Sequence, residues 1–468
     1  MKKTKIIATF GPAIAGKTKI LKLVKAGANL FRINCSHGGE EDFLKAARLI
    51  RDATRSCPFP VGILFDISGP KLRLALFKGM LPVKKRGKVT LTHGNTDLSK
   101  ACIGVNYPEI IEGMKAGERI YIDDGNLIFR VLQKKSGSAL IEAQNHGVLL
   151  PGKGINLPDS NVAIPTLTAK DKSDVKTAIR AGADFIALSF VRSGEDIIEL
   201  RKLLKRGKGA QKVVAKLEKR EAIEALEEIM RLSDGVMVAR GDLGVELNQE
   251  ELPTLQRRII KMANELHKSV IVATQMLESM RFSPRPTRAE VNDVASAVFD
   301  FADAVMLSAE TATGKYPVES VAMMSRVIEA TEQAATPPPI GIHKEGICSP
   351  IPLSIAEAVR NARAICNARL IFAFTTSGFT AEMISNLFPK EPIIALTSDK
   401  LVMRQLTLPR SVYSIEVKQP RSLAELFGIV NLTCARHRLA RRGDRVIVTG
   451  GAPFGKMMLT NFMMVHEI

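Results

Sequence analysis

The sequence has few aromatic residues: tryptophan is absent, and phenylalanine, tyrosine and tryptophan together make up 5% of 468 residues. The basic residues behind the formal net charge of +19 are dispersed along the chain. A nucleic-acid-binding domain usually gathers such residues on one face or along one helix. We therefore expect no nucleic-acid partner, and we attribute the charge to a basic surface on a protein whose ligands are phosphates.

Cysteine is scarce and unpatterned. None of the six cysteines forms a C-x-x-C pair, and they occupy positions 35, 57, 102, 348, 366 and 434. This spacing indicates neither a zinc site nor a disulfide framework. Unpaired thiols are typical of the reducing cytoplasm, which is the expected location.

Long apolar runs are also missing. No segment approaches the roughly 20 apolar residues that a helix needs to cross a bilayer, so no membrane partner is expected. The N-terminal residues imitate a signal peptide. However, Gly11-Pro12 breaks the apolar stretch early, and the same residues are well suited to a first strand.

Short apolar strands alternate with amphipathic helices along much of the chain, which is the pattern of a parallel α/β domain. The strands predicted in this part are 4–10, 30–36, 61–66, 185–189, 213–217, 235–238, 270–273 and 304–307. Eight parallel β-α units close naturally into a (β/α)₈ barrel, the TIM-barrel fold. The sequence therefore predicts an α/β protein built on such a barrel.

The alternation is interrupted once and then ends. About 100 residues of short alternating runs follow the third strand, and so long a loop would be improbable in a compact domain. We interpret them as an inserted small β-barrel domain. A proline-rich link at 336–339 begins a last part that resembles an open, doubly wound α/β domain. The predicted boundaries are 1–68 and 167–338 for the barrel, 69–166 for the insertion and 339–468 for the C-terminal domain.

Polar residues follow the ends of the predicted barrel strands. Strand alternation places Lys216 and Glu218 on one face, and the carboxyl ends of barrel strands meet at one mouth. The side chains expected there are Arg32, Asn34, Ser36, Asp66, Lys216, Glu218, Asp242, Thr274 and Ser308. Carboxylates from different strands suit Mg²⁺, and Lys and Arg suit a moving phosphoryl group. The sequence therefore favours phosphoryl transfer.

Long motifs carry a resemblance to a known family. They are Arg32-Ile33-Asn34-Cys35-Ser36-His37-Gly38, the run from Ser233 to Gly244, Thr274-Gln275-Met276-Leu277-Glu278-Ser279-Met280 and Pro286-Thr287-Arg288-Ala289-Glu290. On these motifs the chain resembles the pyruvate kinase family along nearly its whole length. The resemblance implies glycolytic phosphoryl transfer from phosphoenolpyruvate to ADP with Mg²⁺ or Mn²⁺. It also implies a mobile lid after the third strand, a C-terminal effector domain and a homotetramer.

The resemblance also implies roles for individual residues. Lys216 would stabilise the transferring phosphoryl group, and Arg32 would clamp the phosphate. Glu218 and Asp242 would hold the Mg²⁺. The backbone amides of Gly241 and Asp242, with Thr274, would cradle the substrate carboxylate, while the enolate would be protonated through water from the side of Thr274 and Ser308. The residues implied for the nucleotide are Asn34, His37, Arg73 and Lys153.

A departure from the family pattern concerns potassium. In potassium-dependent members, K⁺ is held by groups that match Asn34, Ser36, Asp66 and the carbonyl of Ile67. Lys71 replaces a nearby glutamate of the family motif, and members with lysine there resemble enzymes that work without K⁺. A tethered ammonium can supply the charge of the free ion. We therefore predict activity that does not require K⁺; the alternative is a solvated Lys71 with K⁺ still bound.

The C-terminal domain contains a hydroxyl-rich loop. Its residues resemble those with which many members bind the phosphate of an allosteric effector, and they are Thr375, Thr376, Ser377, Gly378 and Thr380. The amides of this loop would open the following helix, an arrangement suited to anions. The identity of the effector stays open.

Two other functions compete with this interpretation. The run 11–18 fits the P-loop pattern G-x-x-x-x-G-K-[ST] between a strand and a helix, and Asp66 could then serve as the distal Mg²⁺ residue of a nucleotide hydrolase. That hypothesis explains nothing after residue 66. A basic nucleic-acid-binding protein with an inactive barrel would be expected to have lost motif residues, whereas Arg32, Lys216 and Glu218 are all present.

Overall fold

The computed structural model describes residues 1–160, 162, 164–337, 349–454 and 459–468. The predicted domain boundary at 338/339 and Cys348 lie outside the described residues. The chain begins with three β strands separated by two helices: β1 (Lys5–Thr9), α1 (Lys17–Ala26), β2 (Leu30–Asn34), α2 (Glu40–Thr54) and β3 (Gly62–Ile67). Gly27, at φ 122°, ends α1 in a conformation that favours glycine.

A mainly β insertion follows β3, where the sequence predicted a small β-barrel domain. It contains the helix α3 (Glu109–Gly113) and eight strands: β4 (Leu81–Val83), β5 (Lys88–His93), β6 (Cys102–Val105), β7 (Arg119–Ile122), β8 (Leu127–Lys135), β9 (Ser138–Ala143), β10 (Gly147–Leu149) and β11 (Ile155–Asn156). The described strands form a six-stranded sheet in the order β11-β7-β8-β9-β5-β6 and a two-stranded sheet of β10 and β4, rather than one closed ring. Both sheets contribute to one hydrophobic core.

The β-α alternation then resumes. Its strands are β12 (Phe185–Leu188), β13 (Lys212–Leu217), β14 (Gly235–Ala239), β15 (Ser269–Ala273) and β16 (Ala304–Leu307). Its helices are α4 (Ala169–Arg180), α5 (Gly194–Arg206), α6 (Arg220–Glu224), α7 (Leu226–Leu232), α8 (Arg240–Glu246), α9 (Leu252–Glu265), α10 (Arg288–Phe299), α11 (Ala309–Ala312) and α12 (Pro317–Ala334).

Eight strands close the barrel in the order β1-β16-β15-β14-β13-β12-β3-β2, and every neighbouring pair is parallel. The predicted (β/α)₈ barrel is confirmed. In β13, Val213 and Ala215 pack in the outer core against the helices, whereas Val214 packs in the inner cluster of the barrel. Because side chains alternate along a strand, Lys216 shares the inner face with Val214.

The C-terminal domain is an open α/β sheet, as predicted. Its elements are α13 (Pro350–Ile365), β17 (Leu370–Phe374), α14 (Phe379–Ser385), β18 (Ile393–Thr397), α15 (Lys400–Gln405), β19 (Val412–Glu416), α16 (Leu423–His437), β20 (Arg445–Gly450) and β21 (Phe462–Glu467). The described strands lie in the order β19-β18-β17-β20-β21. The pair of β20 and β21 is antiparallel, and the other three pairs are parallel. Ile371 and Phe372 belong to different core clusters, so both faces of the sheet are covered. Across the described ranges, every helix is too short or too polar to cross a bilayer.

Buried polar side chains join the barrel to the C-terminal domain. The carboxylate of Asp184 pairs with Arg51 of the barrel at 2.6 Å and with Arg404 of the C-terminal domain at 2.7 Å. Nearby, the fully buried Lys5 donates from Nζ to the carbonyl of Val412 at 2.5 Å. The ammonium of Lys5 also lies 4.0 Å from the centre of the Tyr413 ring.

Lys5 is expected to make folding stability depend on pH. The pKa of Lys5 is lowered to about 7, mainly by burial and also by Lys2, while Glu332 and Asp303 oppose the shift. A lysine in the unfolded chain titrates near 10.4, so between pH 7 and 10 the unfolded chain binds more protons and stability rises with pH. We expect Lys5→Met to remove this dependence. The free energy of unfolding of the Lys5→Met variant, compared with that of the wild type, should be highest at pH 7 and below. This advantage should decline towards pH 9, and thermal unfolding would measure it.

A difference between the two unfolding midpoints that stays constant from pH 6.5 to 9 would contradict this expectation. Lys17→Met is a suitable control for the loss of one lysine, because Lys17 is exposed. Its difference from wild type should change little over the same pH range.

Candidate active site

Lys216 is the centre of a charged cluster at the barrel mouth. Its Nζ lies 2.8 Å from Oε1 of Glu218 and 3.2 Å from Oδ1 of Asp66, and it donates a hydrogen bond to Oγ of Ser189 at 2.7 Å. Burial disfavours the charge on Lys216, but Asp66 and Glu218 outweigh burial and raise its pKa. Lys216 is therefore a fixed cation with three oxygen partners.

Arg32 extends the same cluster. Its Nε lies 2.6 Å from Oδ2 of Asp66, and its NH1 donates to Oγ1 of Thr9 at 3.2 Å. Burial alone would raise the pKa of Asp66, but Lys216 and Arg32 outweigh burial and lower that pKa to about 2. Asp66 is thus ionised at neutral pH, and it holds both cations in place on two different strands.

Glu218 and Asp242 are the two carboxylates predicted to hold a divalent cation. Glu218 is 1% exposed, and its Oε2 accepts the N–H of Phe190 at 2.7 Å. Burial raises the pKa of Glu218, the nearby Asp242 raises it further, and Lys216 opposes both. A bound cation would remove this repulsion between carboxylates.

The donor set suits Mg²⁺ in particular. Within the described residues, no group of three or more Asp, Glu, His or Cys side chains is arranged to hold a metal. An ion at Glu218 and Asp242 would therefore take its remaining ligands from water and substrate oxygens, which is the coordination that Mg²⁺ prefers.

Thr274 and Gly241 meet across two neighbouring strand ends. The N–H of Gly241 donates to Oγ1 of Thr274 at 2.9 Å. Thr274 has φ 72° and Gln275 has φ 55°, a left-handed pair that is unusual for these residue types. The guanidinium of Arg240 holds this turn by donating to the carbonyl of Thr274 at 2.6 Å. The rigid turn fixes the Thr274 hydroxyl at the mouth.

Ser308 lies at the end of the next barrel strand, β16, immediately before α11. Its N–H donates to Oε2 of Glu310 at 2.7 Å, and Glu310 also accepts the N–H of Leu277 at 3.1 Å. Burial raises the pKa of Glu310. This buried carboxyl group ties the loop after β15 to the loop after β16, and so positions the side of the mouth predicted for proton transfer.

Basic residues from the barrel and the lid share a second region. A cavity of about 340 Å³ is lined by Lys71, Arg73, Lys153 and Asp242 together with other residues of the inserted domain. Lys153 pairs with Asp123 at 2.7 Å, and Arg73 donates to the carbonyl of Gly152 at 2.8 Å. The structure thus places lid cations beside the predicted Mg²⁺ carboxylate.

His37 lies in the field of these cations. It is exposed, and partial burial followed by Lys71, Arg73 and Arg32 lowers its pKa. Burial is the main cause of the lowered pKa of His37, and the three basic residues add a positive potential to it. Such a potential favours the phosphates of a nucleotide.

The residues predicted around K⁺ are close together at the ends of β2 and β3. Asn34 and Asp66 are partners in the strand ladder, and Oδ1 of Asn34 accepts the N–H of Ser36 at 3.1 Å. Lys71 is half-buried, and burial, followed by Lys216, lowers its pKa, whereas Asp66 and Asp242 raise it. Lys71 forms no ion pair with a carboxylate in the part of the chain that the structure describes. Ile67 is fully buried at the end of β3.

The predicted effector residues form one loop, but they are not equally available. The Oγ1 of Thr375 accepts the N–H of Gly378 at 2.9 Å, and the hydroxyls of Thr380 and Thr460 lie 2.7 Å apart. Both Thr375 and Thr380 are buried, whereas Thr376 is half-buried and Ser377 is exposed. Only part of the loop therefore faces solvent.

Comparison with known proteins decides the family. The family model described as pyruvate kinase, barrel domain, matches residues 1–321, and the one described as pyruvate kinase, alpha/beta domain, matches residues 353–466. The chain belongs to the pyruvate kinase family. The predictions of the family, the fold class and a phosphotransferase are confirmed. Pyruvate kinases generally use Mg²⁺ and K⁺.

Individual pyruvate kinases match over the full chain. The pyruvate kinase of Methylorubrum extorquens is 40% identical over 470 residues, which cover 99% of this chain and 97% of that protein. The pyruvate kinase of Geobacillus stearothermophilus is 39% identical over 478 residues, covering 100% of this chain and 80% of that protein. That of Sporosarcina psychrophila is 38% identical over 473 residues, covering 100% and 81%.

In this pyruvate kinase fold, the run 11–18 is a βα turn. The N–H of Ile14 donates to the carbonyl of Gly11 at 3.0 Å, and that of Gly16 to the carbonyl of Ile14 at 2.7 Å. These amides are therefore used inside the turn rather than pointed at a phosphate. Lys17 is exposed and lies 3.6 Å from Asp52. The P-loop hypothesis has no support in this geometry.

Sequence reasoning missed several residues of the pyruvate kinase mouth. Ser189 and Thr9 touch the charged cluster, and both lie inside predicted strands near the carboxyl end. The rule that selected Lys216 would have found them. The guanidinium of Arg240 donates to the carboxylate of Asp293, 53 positions away. No sequence pattern predicts that these two residues are in contact.

Proposed function

We propose that this chain transfers the phosphoryl group of phosphoenolpyruvate to ADP, giving pyruvate and ATP, at the barrel mouth. The observation that carries this proposal is the position of Lys216 between Asp66 and Glu218 on the inner face of the barrel. Phosphoryl transfer depends on positioned charges rather than on covalent chemistry from the protein. The buried ammonium of Lys216, held between the carboxylates of Asp66 and Glu218, meets that requirement.

The two cations would act on the phosphate of the substrate. Lys216 would face the transferring phosphoryl group, and Arg32 would bind its oxygens through the planar guanidinium. Asp66 keeps both cations charged and oriented before substrate arrives, so little reorganisation is needed during the reaction. Mg²⁺, held by Glu218 and Asp242, supplies further neutralisation of phosphate charge when bound.

The remaining part of the mouth would bind and protonate the pyruvate portion. The amides of Gly241 and Asp242, with Thr274, would hold the carboxylate of phosphoenolpyruvate. The Gly241 amide would exchange its present acceptor, Oγ1 of Thr274, for the substrate. The hydroxyls of Thr274 and Ser308 would orient the water that delivers a proton to the enolate. This assignment is supported by the rigid turn at Thr274 and by the ties that Glu310 makes to both loops.

Thr274→Ala is expected to lower kcat by about 10²-fold, with a smaller change in the KM for phosphoenolpyruvate. The variant removes the hydroxyl that accepts the Gly241 N–H. The same hydroxyl is proposed to orient the water that protonates the enolate. Thr274→Ser should recover most of the rate, because it keeps the hydroxyl. Steady-state kinetics of pyruvate formation would measure both variants.

Thr254→Ala is a matched control, because Thr254 is exposed on α9 and its hydroxyl donates to the carbonyl of Glu251 in the preceding turn. Equal rates for Thr274→Ala and wild type would contradict the assignment of Thr274.

The nucleotide would bind between the mouth and the lid. Asn34, His37, Arg73 and Lys153 are proposed to contact its phosphates, supported by the positive potential at His37 and by the shared cavity. Closure of the lid would bring Lys153 over the phosphates and exclude water from the transfer.

The proposal also covers the domain divisions, the effector site, the assembly and the potassium requirement. The functional divisions would be the barrel (1–68 and 167–338), the lid (69–166) and the C-terminal domain (339–468). The loop 375–380 would bind a phosphorylated effector through its exposed part, and the protein would act as a cytoplasmic homotetramer. K⁺ would not be required, because the ammonium of Lys71 lies in the field of Asp66 and Asp242.

The deciding experiment is pyruvate formation from phosphoenolpyruvate, ADP and Mg²⁺ in potassium-free buffer, repeated with added K⁺. We expect full activity in both buffers. Activity that appears only with K⁺ would retain the kinase and discard the role of Lys71. No activity in either buffer, together with salt-sensitive binding to nucleic acid, would favour a binding protein with an inactive barrel.

A further inference from the structure

A buried carboxylate lies just outside the two that are proposed to hold Mg²⁺. Glu246 is the last residue of α8, four positions after Asp242, and it is 4% exposed. Its Oε1 lies 2.6 Å from Nζ of Lys219, and Lys219 directly follows Glu218 in the chain. One ion pair thus joins the two segments that carry the proposed metal carboxylates.

Further hydrogen bonds fix the direction of Glu246. Nδ2 of Asn156, in the lid strand β11, donates to the same Oε1 at 3.2 Å. NH2 of Arg220 donates to the backbone carbonyl of Glu246 at 3.4 Å. A buried side chain held by several such partners keeps one orientation. Glu246 is therefore a fixed partner, whereas Lys219 is the more exposed member of the pair.

The cavity of about 340 Å³ between the barrel and the lid shows where the ammonium of Lys219 would go without that partner. Lys219 lines this cavity, and the acidic residues that line it are Asp123, Asp124, Glu221 and Asp242. Asp123 already pairs with Lys153 at 2.7 Å. A released ammonium on a flexible lysine stem could therefore approach Asp242, which is one of the two proposed metal carboxylates.

The metal carboxylates already have cations beside them. Glu218 lies 2.8 Å from the ammonium of Lys216. Asp242 acts on two ammonium groups, since it raises the pKa of Lys216 and opposes the lowering of the pKa of Lys71. A further ammonium at Asp242 would compete with Mg²⁺ for the carboxylate oxygens and would repel the ion. Keeping Lys219 on Glu246 avoids that competition.

We propose that Glu246 is a positioning residue of the metal site: it binds the ammonium of Lys219 and so keeps Glu218 and Asp242 available to Mg²⁺. This inference rests on the proposed role of Glu218 and Asp242. Glu246 acts through Lys219 rather than by contact with the ion, as groups behind metal ligands commonly do. Because Asn156 belongs to the lid, the same carboxylate also fastens the base of the lid beside the metal site.

Binding of Mn²⁺ in place of Mg²⁺ tests the proposal without catalysis. Mn²⁺ is titrated into the full-length protein without substrates, and the electron paramagnetic resonance signal of the unbound ion is measured. Glu246→Gln keeps the shape of the side chain and should bind Mn²⁺ about tenfold more weakly, because losing a group behind the metal ligands typically costs 10–100-fold. The double variant Glu246→Gln/Lys219→Gln should regain most of that affinity, since it also removes the released ammonium. A role in folding alone does not predict this recovery.

Two controls separate this inference from the proposed metal site. Glu218→Gln should lose most of the affinity for Mn²⁺; unchanged affinity there would contradict the metal site, and the role of Glu246 with it. Glu250→Gln removes the same charge from an exposed residue four positions further along the chain and should bind Mn²⁺ like the wild type.

Three results would overturn the role of Glu246 while leaving the metal site intact. With Glu218→Gln weakened as expected, the first is wild-type Mn²⁺ affinity in Glu246→Gln. The second is no recovery of affinity in the double variant. The third is a tenfold loss of ADP affinity in Lys219→Gln, measured by calorimetry without a metal ion, because it would assign the Lys219 ammonium to the nucleotide phosphates instead.

Discussion

Lys216→Met is expected to lower the rate of pyruvate formation by roughly 10³-fold, the loss typical of removing one preorganised charge from a transition state. The residue supplies a fixed cation 2.8 Å from Glu218 and 3.2 Å from Asp66, at the point where the phosphoryl group would pass. The KM for ADP should change much less, because the nucleotide is proposed to contact other residues. Initial rates in a coupled pyruvate assay measure both quantities.

The Lys216→Met variant also needs a test of folding. The substitution removes the ammonium group and leaves Glu218 buried without a charge partner. Breaking a buried ion pair typically destabilises a protein by about 3–5 kcal/mol. Lys216→Arg should restore stability more than activity, since guanidinium and ammonium groups differ in shape. Lys17→Met is the matched control: it removes an exposed lysine and should keep full activity, which a P-loop lysine would not. A folded Lys216→Met protein with most of its activity would refute the mechanism.

The second large effect is expected from Lys71→Glu. In potassium-free buffer this variant should lose activity by roughly 10²-fold, because it replaces a positive charge near Asp66 and Asp242 with a negative one. Added K⁺ should restore much of the loss, since the carboxylate and the groups around Asn34 and Asp66 would then bind the ion. The rate is measured against K⁺ concentration, with choline chloride holding ionic strength constant.

Lys78→Glu makes the same charge change on an exposed lid residue. Its rate of pyruvate formation should be the same with and without K⁺. The role of Lys71 is refuted if wild type gains strongly from K⁺ but not from choline. It is also refuted if Lys71→Glu works equally well in both buffers.

Much of the fold follows from short-range sequence patterns. Apolar runs of strand length with polar residues at their ends predicted all eight barrel strands, because parallel strands are buried on both faces. The alternation around Lys216 correctly placed its side chain on the inner face of β13. In contrast, β21 was not predicted: it is an antiparallel edge strand with several exposed residues, so it lacks the buried apolar signal.

The sequence predicted that several polar side chains would lie together at the barrel mouth, but it did not predict their contacts. Strand ends indicated that Arg32 and Asp66 would meet, yet the 2.6 Å contact between them depends on the register of β2 against β3. The support of Thr274 by Arg240 required the fold, because no local pattern relates those two positions.

The hydrophobic core of the lid has a consequence for how the protein unfolds. That core contains only lid residues, and the barrel closes its ring of hydrogen bonds through β3 and β12 without any lid strand. We therefore expect the lid to unfold as a separate cooperative unit, with amide hydrogens that exchange with solvent while those of the barrel stay protected. Substitutions inside the lid core would then shift the balance between an ordered and a disordered lid, and so alter turnover, without changing the stability of the barrel beneath it.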